Sequence, residues 1–336
     1  MAELSPWLLD RLRCPISRDK LHRDGGDLVS PLGRRYPVVG GIPILLRPDV
    51  IPTHGYFAKT FDLVRSGIPP SRQPPHRDSI DPFVQAEIVR SCGHLYSPLL
   101  GRLPRYPIPD LHLPPARGRV LLDIGANWGR WSIRAAQLGY RVIAVDPSLE
   151  AGLAALRVAH QLKVEVTYVV ADARYLPFAD NSVDVAFSYS VLQHFAKDDA
   201  RAALVEMSRV TCQGGTVLVQ MPNLLGVRQA FNRLRQLLRR DAGLFRVRYW
   251  TPRELERTFR EIIGPSELVA DGFFSLNPQA ADVDLLPVRY RAVVRLSDML
   301  RRLSERAPFL RNLADSLYVR SQNERAHADG TRLPGI

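Results

Sequence analysis

Cysteine is scarce in this chain: Cys14, Cys92 and Cys212 are three residues among 336. Three are too few for a disulfide framework, and free thiols suit a reducing compartment, so a cytoplasmic location is expected. Long apolar runs are missing as well. None nears the roughly 18 residues that a membrane helix needs. Met1 to Arg13 has neither a basic opening nor a long apolar stretch, so no secretory signal is expected there. Negative charge is in short supply. The 34 acidic residues face 46 Lys and Arg, for a formal net charge of +12. That sign favours anionic partners (nucleic acid, a membrane surface or a phosphorylated substrate) without choosing among them. The length allows one large or two modest domains with a sizeable core.

What is present is concentrated between Arg119 and Ser148. Val120-Leu121-Leu122 reads as a buried parallel strand that ends at Asp123 and a Gly-x-x-x-Gly turn, Gly125 to Gly129. A helix with apolar patterning follows, then a second strand, Val142 to Val145, which ends at Asp146 and Pro147. This is a βαβ unit, and ligands of such units sit beyond the carboxyl ends of the strands. Glycine lets backbone approach a ligand without a Cβ in the way. Asp146 stands where a carboxylate takes the two hydroxyls of a ribose. A dinucleotide fingerprint has glycine at a second position, which is Asn127 here, and rests a pyrophosphate on the helix N-terminus. Asp123 would repel a pyrophosphate but suits an ammonium group. S-adenosyl-L-methionine carries an ammonium, a ribose and an adenine, and no phosphate. Asn127 tolerates unusual backbone angles and offers an amide to the carboxylate of such a cofactor. Trp128 and Trp131 are expected to pack around the turn.

Further motifs follow in order. Val169-Val170-Ala171-Asp172-Ala173 reads as a third strand ending in an acid. Leu176-Pro177-Phe178 and Asp180-Asn181-Ser182 lead into Val183–Ser188, a fourth strand. Ser190–Phe195, a helix over 200–210, a Gly214-Gly215 turn, a fifth strand over Thr216–Gln220 and a helix start at Thr251-Pro252 complete the series. Together these segments, over about residues 118–275, resemble the class I S-adenosyl-L-methionine-dependent methyltransferases of the type 11 kind. The resemblance implies an α/β fold with a Rossmann-like, mostly parallel seven-stranded sheet and helices on both faces. It also implies a cofactor site formed by Asp123, Gly125, Asn127, Gly129, Asp146, Pro147, Asp172, Ala173 and Ser188, with Asp172 and Ala173 on the adenine. Tyr189, Gln193 and Asn223 are expected to line the acceptor pocket. His194, just past the fourth strand, is the candidate general base, because an imidazole suits proton removal near neutral pH. The alternative for His194 is a capping or packing role at the start of the next helix.

The flanks are read separately. Residues 1–47 resemble a short zinc-ribbon family whose intact members carry two Cys-x-x-Cys pairs. Only Cys14 remains; Ser17, Val29 and Leu32 occupy the other places, and one thiolate does not hold a tetrahedral zinc. A degenerate ribbon docked on the main domain, without metal, is expected. Residues 48–117 are a proline-rich linker, with a helix predicted from Asp81-Pro82 to Cys92. That helix is either a lid over the cofactor, joined by Tyr96 and Tyr106, or a surface wrap. Residues 224–311 hold seventeen arginines against ten acids. Two helical stripes are predicted there, Val227, Phe231, Leu234 and Leu238, and then Val293, Leu296, Leu300 and Leu303. The division expected is a helical extension over 276–320 and a disordered tail over 321–336. These basic faces are solvated surfaces, or they meet RNA or a membrane surface. The expected activity is methyl transfer from S-adenosyl-L-methionine to a small molecule: a saccharide, a lipid-linked acceptor or a secondary-metabolite intermediate, anionic acceptors included. The alternatives are an RNA methyltransferase, an inactive cofactor-binding scaffold and a dehydrogenase.

Overall fold

In the computed structural model the described residues are 4–52, 55–67, 79–111, 113, 115–231, 248–274 and 279–325. Prolines 69, 70, 74, 75 and 114, Leu234, Leu238 and the tail from residue 326 lie outside them.

The centre is a seven-stranded sheet. Its strands are β5 (Val120–Ile124), β6 (Arg141–Asp146), β7 (Val166–Val170), β8 (Val183–Tyr189), β9 (Thr211–Pro222), β10 (Ser266–Gly272) and β11 (Ser316–Gln322). The order across the sheet is β10-β11-β9-β8-β5-β6-β7. Strands β7, β6, β5, β8 and β9 are parallel, whereas β11 runs antiparallel to both β9 and β10. The fold is Rossmann-like. Both faces of β5 are covered, which is why its sequence is apolar without alternation. Leu122 and Ile124 face one core with Leu204 and Phe259, and Leu121 faces the other with Trp131 and Phe187.

The helices are α1 (Pro6–Arg11), α2 (Tyr56–Ser66), α3 (Pro82–Cys92), α4 (Arg130–Gln137), α5 (Leu149–Gln161), α6 (Lys197–Val210), α7 (Pro252–Ile262), α8 (Val288–Arg306) and α9 (Pro308–Arg311). Several starts are readable from their caps. Asp81 accepts from the Phe83 amide, Ser148 from Ala151 and Thr251 from Glu254, and each satisfies one of the donors that a helix N-terminus leaves unpaired.

The N-terminal residues form a four-stranded antiparallel sheet, β1 (His22–Asp24), β2 (Asp27–Val29), β3 (Arg35–Val39) and β4 (Ile42–Pro43). It does not stand apart. Leu8, Leu12, Leu28 and Tyr36 share one core with Phe178 and Leu204 of the main domain. Just past β4, Ile44 bridges to Val170 in parallel, and the Leu45 amide donates to the Val170 carbonyl at 2.8 Å. The open edge of β7 is thereby capped by backbone from residues 44–45, a common way to blunt an exposed strand edge. The Cys14 thiol sits 3.1 Å from the Tyr36 hydroxyl. Among the described residues no group of three or more His, Cys, Asp or Glu side chains is placed to hold a metal ion.

Two expectations require correction. The segment 276–320 is not a helical extension beyond the main domain. Strand β11 lies within it and completes the central sheet, so α8 and α9 form an insertion between β10 and β11, and residues 321–322 are strand rather than tail. The predicted apolar stripe of α8 is also split rather than a single face, since Leu300 packs against the main core. Val294, Ser297 and Ser304 are buried, whereas Val293, Leu296 and Leu303 are exposed.

Candidate active site

Strands β5, β6 and β8 end at one edge of the sheet, and the turn after β5 crosses that edge. The Gly125 and Ala126 amides both donate to the Val145 carbonyl, at 2.7 and 3.0 Å, and this bends the chain over the end of β6. Gly125 has φ +77°, and a Cβ there would meet Val191 Cγ2 at 2.1 Å. Only glycine fits on both counts. Gly129, with φ +81°, brings the start of α4 against Ala155 of α5, where an added Cβ would stand 3.1 Å from that residue's Cβ. Asn127 takes φ +49°, and its side-chain oxygen accepts from the Trp128 amide at 2.7 Å. Its carbonyl accepts from the buried Tyr168 hydroxyl at 2.8 Å.

Two buried carboxylates flank this turn. Asp123 Oδ2 accepts from the Ser132 hydroxyl at 2.6 Å. Burial pushes its carboxyl up to about 7, against the pull of the Ser132 hydrogen bond and with a further push from Asp146. Asp146 accepts from the Asn127 amide (3.1 Å) with one oxygen and from the Ser148 amide (2.9 Å) with the other. Burial raises it to about 6, and both amide bonds oppose the rise. Each Asp146 oxygen keeps a lone pair beyond its amide bond. Neither Asp123 nor Asp146 has an arginine or lysine as a salt-bridge partner among the described residues. The nearby Arg130 guanidinium pairs instead with Asp282 at 2.6 Å and donates to the Pro107 carbonyl at 2.8 Å. Two unneutralised acids suit a cationic nucleoside with free hydroxyls. They do not suit a diphosphate. The residues present therefore fit S-adenosyl-L-methionine.

Thr60 of α2 was not legible as a site residue. Its hydroxyl donates to the Pro147 carbonyl at 2.7 Å and accepts from the Leu149 amide at 3.1 Å, clamping the loop after Asp146. Only the fold joins residues 60 and 147, so no local pattern could announce the contact.

Asp172 departs from the expected role. Both of its oxygens are taken by the Arg174 guanidinium, the closest contact being 2.7 Å, and one also accepts the Arg174 amide. Arg174 reaches on to Asp199 and to the Ile51 carbonyl. The carboxylate is thus committed to an ion pair and leaves little capacity for an adenine amino group. Ala173, beside it, is buried. Ser188 is buried, and its hydroxyl donates to the Ile124 carbonyl at 3.0 Å, tying β8 to β5.

Two pocket expectations also change. Asn223 is wholly buried. Its amide donates to the carbonyls of Asn312 and Ala314, and its oxygen accepts from the Leu225 amide, so it pins the turn before β11 rather than lining a pocket. Tyr189 stacks on Trp131 with ring centroids 4.5 Å apart and donates to Asp271 at 3.1 Å. Its ring and its hydroxyl are thus both engaged by the protein. Gln193 donates to the Ser190 hydroxyl and lies next to His194, which closes the short 3-10 turn Leu192–His194. The His194 ring is half-buried, and its carbonyl accepts from Arg248 at 2.9 Å. Tyr96 and Tyr106 do join the layer around α3. Tyr96 donates to Asp282 at 2.5 Å, and Tyr106 accepts from the Asp81 amide and donates to Gln161. Trp128 packs against Tyr106, with ring centroids 5.9 Å apart, and donates to the Ser91 hydroxyl.

Comparison with known proteins adds a domain match. Residues 122–219 match a family described as "Methyltransferase domain". The malonyl-[acyl-carrier protein] O-methyltransferase of Yersinia pestis is 42% identical over 101 residues, 30% of this chain and 36% of that protein. The demethylmenaquinone methyltransferase of Renibacterium salmoninarum is 37% identical over 103 residues, 30% of this chain and 40% of that protein. The chain thus spans about two-fifths of the curated relatives it matches. Among solved structures, a SAM-dependent methyltransferase of Thermotoga maritima aligns with a TM-score of 0.41 at 19% identity, over 64% of this chain and 84% of that one.

Proposed function

We propose that this chain, whose residues 122–219 form a methyltransferase domain, transfers a methyl group from S-adenosyl-L-methionine to a small-molecule acceptor. The observation that carries the reading is the pair of buried acids, Asp123 and Asp146, at the ends of β5 and β6, neither with a basic salt-bridge partner among the described residues. When bound, the cofactor supplies a methyl group on a sulfonium, already an activated donor. The work left to the protein is alignment and exclusion of water. Asp146 holds the ribose hydroxyls with the lone pairs its two amide bonds leave. Asp123 favours the cationic amino-acid end from behind the turn. The backbone at Ala173 offers the adenine edge what the Asp172 carboxylate, paired with Arg174, does not. Where the acceptor is a hydroxyl, the reading assigns proton removal to His194.

The relatives' names specify a malonyl carrier and a quinone precursor, acceptors of different chemistry. They support a discrete acceptor rather than a single named one; saccharide, lipid-linked and secondary-metabolite acceptors remain the proposed class. Titration calorimetry with S-adenosyl-L-methionine and with NADH tests the cofactor. Binding of the first alone is expected, and Asp146→Ala should abolish it while circular dichroism stays unchanged. Binding of NADH, or near wild-type affinity in Asp146→Ala, overturns the proposal. Methyl-labelled cofactor incubated with fractionated cell extract then shows which solute class takes the label.

A further inference from the structure

The outward face of α8 is apolar in a helix that is otherwise rich in arginine. Leu296, Met299 and Leu303, at spacings of three and four, stand one above another and are 43%, 56% and 46% exposed. Phe309 of α9 is 68% exposed as well. The opposite face is committed to the protein: Val294, Ser297 and Ser304 are buried, and the Ser297 hydroxyl accepts from the Phe273 amide at 2.9 Å. Arg295, Arg302 and Arg306 are exposed. At 100° per residue they fall along one border of the apolar stripe. Residues 288–313 hold seven arginines against Asp298 and Glu305 alone. Asp298 pairs with Arg301 and Arg302, and Glu305 with Arg301, so the excess charge remains positive.

We propose that this face docks the protein onto an anionic bilayer. An apolar stripe bordered by arginines is the pattern of a helix that lies in the plane of a membrane surface. Its side chains enter the headgroup boundary while the guanidiniums stay with the phosphates. One-signed charge beside the stripe is the complementarity that selects anionic lipid over a neutral apolar partner. The helix lies on the bilayer and does not cross it, since no described helix is long and apolar enough to span a membrane. Its position adds a consequence. Strand β10 runs parallel to β9, so the connection to β11 that holds α8 leaves the sheet at the same edge as the Gly125–Gly129 turn. A surface bound there lies beside the site, where a lipid-linked acceptor would be presented. The docking itself does not depend on the methyl-transfer reading.

The test is co-sedimentation of the full chain with vesicles of phosphatidylglycerol and phosphatidylcholine in equal parts, against phosphatidylcholine alone. Binding to the mixed vesicles only, weakening as salt rises, is expected. Each arginine near such a surface is worth about fivefold in affinity, so Arg295→Gln with Arg302→Gln should cost roughly thirtyfold. Leu296→Ser with Met299→Ser should cost at least about tenfold. Both pairs are exposed, so thermal unfolding should stay at the wild-type temperature and separates lost docking from lost folding. No sedimentation with the mixed vesicles overturns the proposal. So does equal binding by wild type and both variants. A dimer in light scattering that the Leu296/Met299 variant dissolves, without vesicle binding, assigns the face to a second copy instead. RNA retention lost in the arginine variant while vesicle binding is unchanged assigns the charge to RNA.

Discussion

Replacing Asp123 with asparagine removes a negative charge that the fold holds at a cost. Asp123 is 1% exposed, it accepts from Ser132, and burial lifts its carboxyl to about 7. In the unfolded chain the same group ionises in the ordinary aspartate range near 4. Between those values the folded state keeps a proton that the unfolded chain has released, so this group favours folding as pH falls through the window and opposes it as pH rises. At pH 8 both states are ionised, and about three units of difference correspond to about 4 kcal/mol of destabilisation. At pH 5 the folded group is neutral, and the cost shrinks to about 1–2 kcal/mol. Asparagine keeps the shape and offers its own oxygen to Ser132. Whatever its amide costs, that cost is the same at both pH values. Urea unfolding of wild type and Asp123→Asn at pH 8 and pH 5 should therefore show a stabilising contribution about 2–3 kcal/mol larger at pH 8. The same variant should bind S-adenosyl-L-methionine more weakly, because the charge that burdens the free protein is the one a cationic ligand relieves. A stability difference that does not change with pH, or one that favours wild type more at pH 8, refutes the reasoning.

Three further outcomes follow from the same geometry. Asp146, lifted by burial to about 6, must be ionised to accept from ribose hydroxyls, and Asp123, lifted to about 7, must be ionised to favour the cationic end, so cofactor affinity measured by calorimetry should fall as pH drops through about 7 and 6 and level off only above about 8. Thr60→Val keeps the shape of the side chain but leaves the Pro147 carbonyl and the Leu149 amide without their partner; it should cost about 1–3 kcal/mol in urea unfolding and raise the cofactor dissociation constant. Asp282→Asn leaves the Arg130 guanidinium buried without a counter-ion and should cost about 3–5 kcal/mol, whereas Arg105→Gln, at an exposed pair with Asp284, should cost no more than about 1 kcal/mol in the same assay.

The parts of the site that were legible in the sequence are those in which one short segment does the whole job. A buried strand, an acid and a glycine turn announce themselves because β5 must be apolar on both faces and Gly125 has no room for a Cβ beside Val191. Asp146 follows for the same reason: the strand ends at it, and its two amide donors come from the turn and from the residue two places on. What was not legible depends on contacts across the chain. Asn223 looks like a pocket residue at a strand end until residues 312–315 arrive to take its amide. Asp172 looks like an adenine ligand until Arg174 folds back, although a guanidinium two residues from the acid was a readable warning. The capping of β7 by residues 44–45 and the clamp from Thr60 join segments more than a hundred and more than eighty residues apart. The misplaced boundary has a related cause. Helix α8 has the same heptad-like spacing whether its apolar stripe faces a core or a solvent boundary, and periodicity reports that a stripe exists without saying what it meets. Val294, Ser297 and Ser304 line the buried side and Leu300 packs against the main core, while Leu296, Met299 and Leu303 lie outside. A helix that already packs one face on its own domain and still exposes a second apolar stripe has that stripe adapted to something else, and the arginines beside it restrict what the something can be.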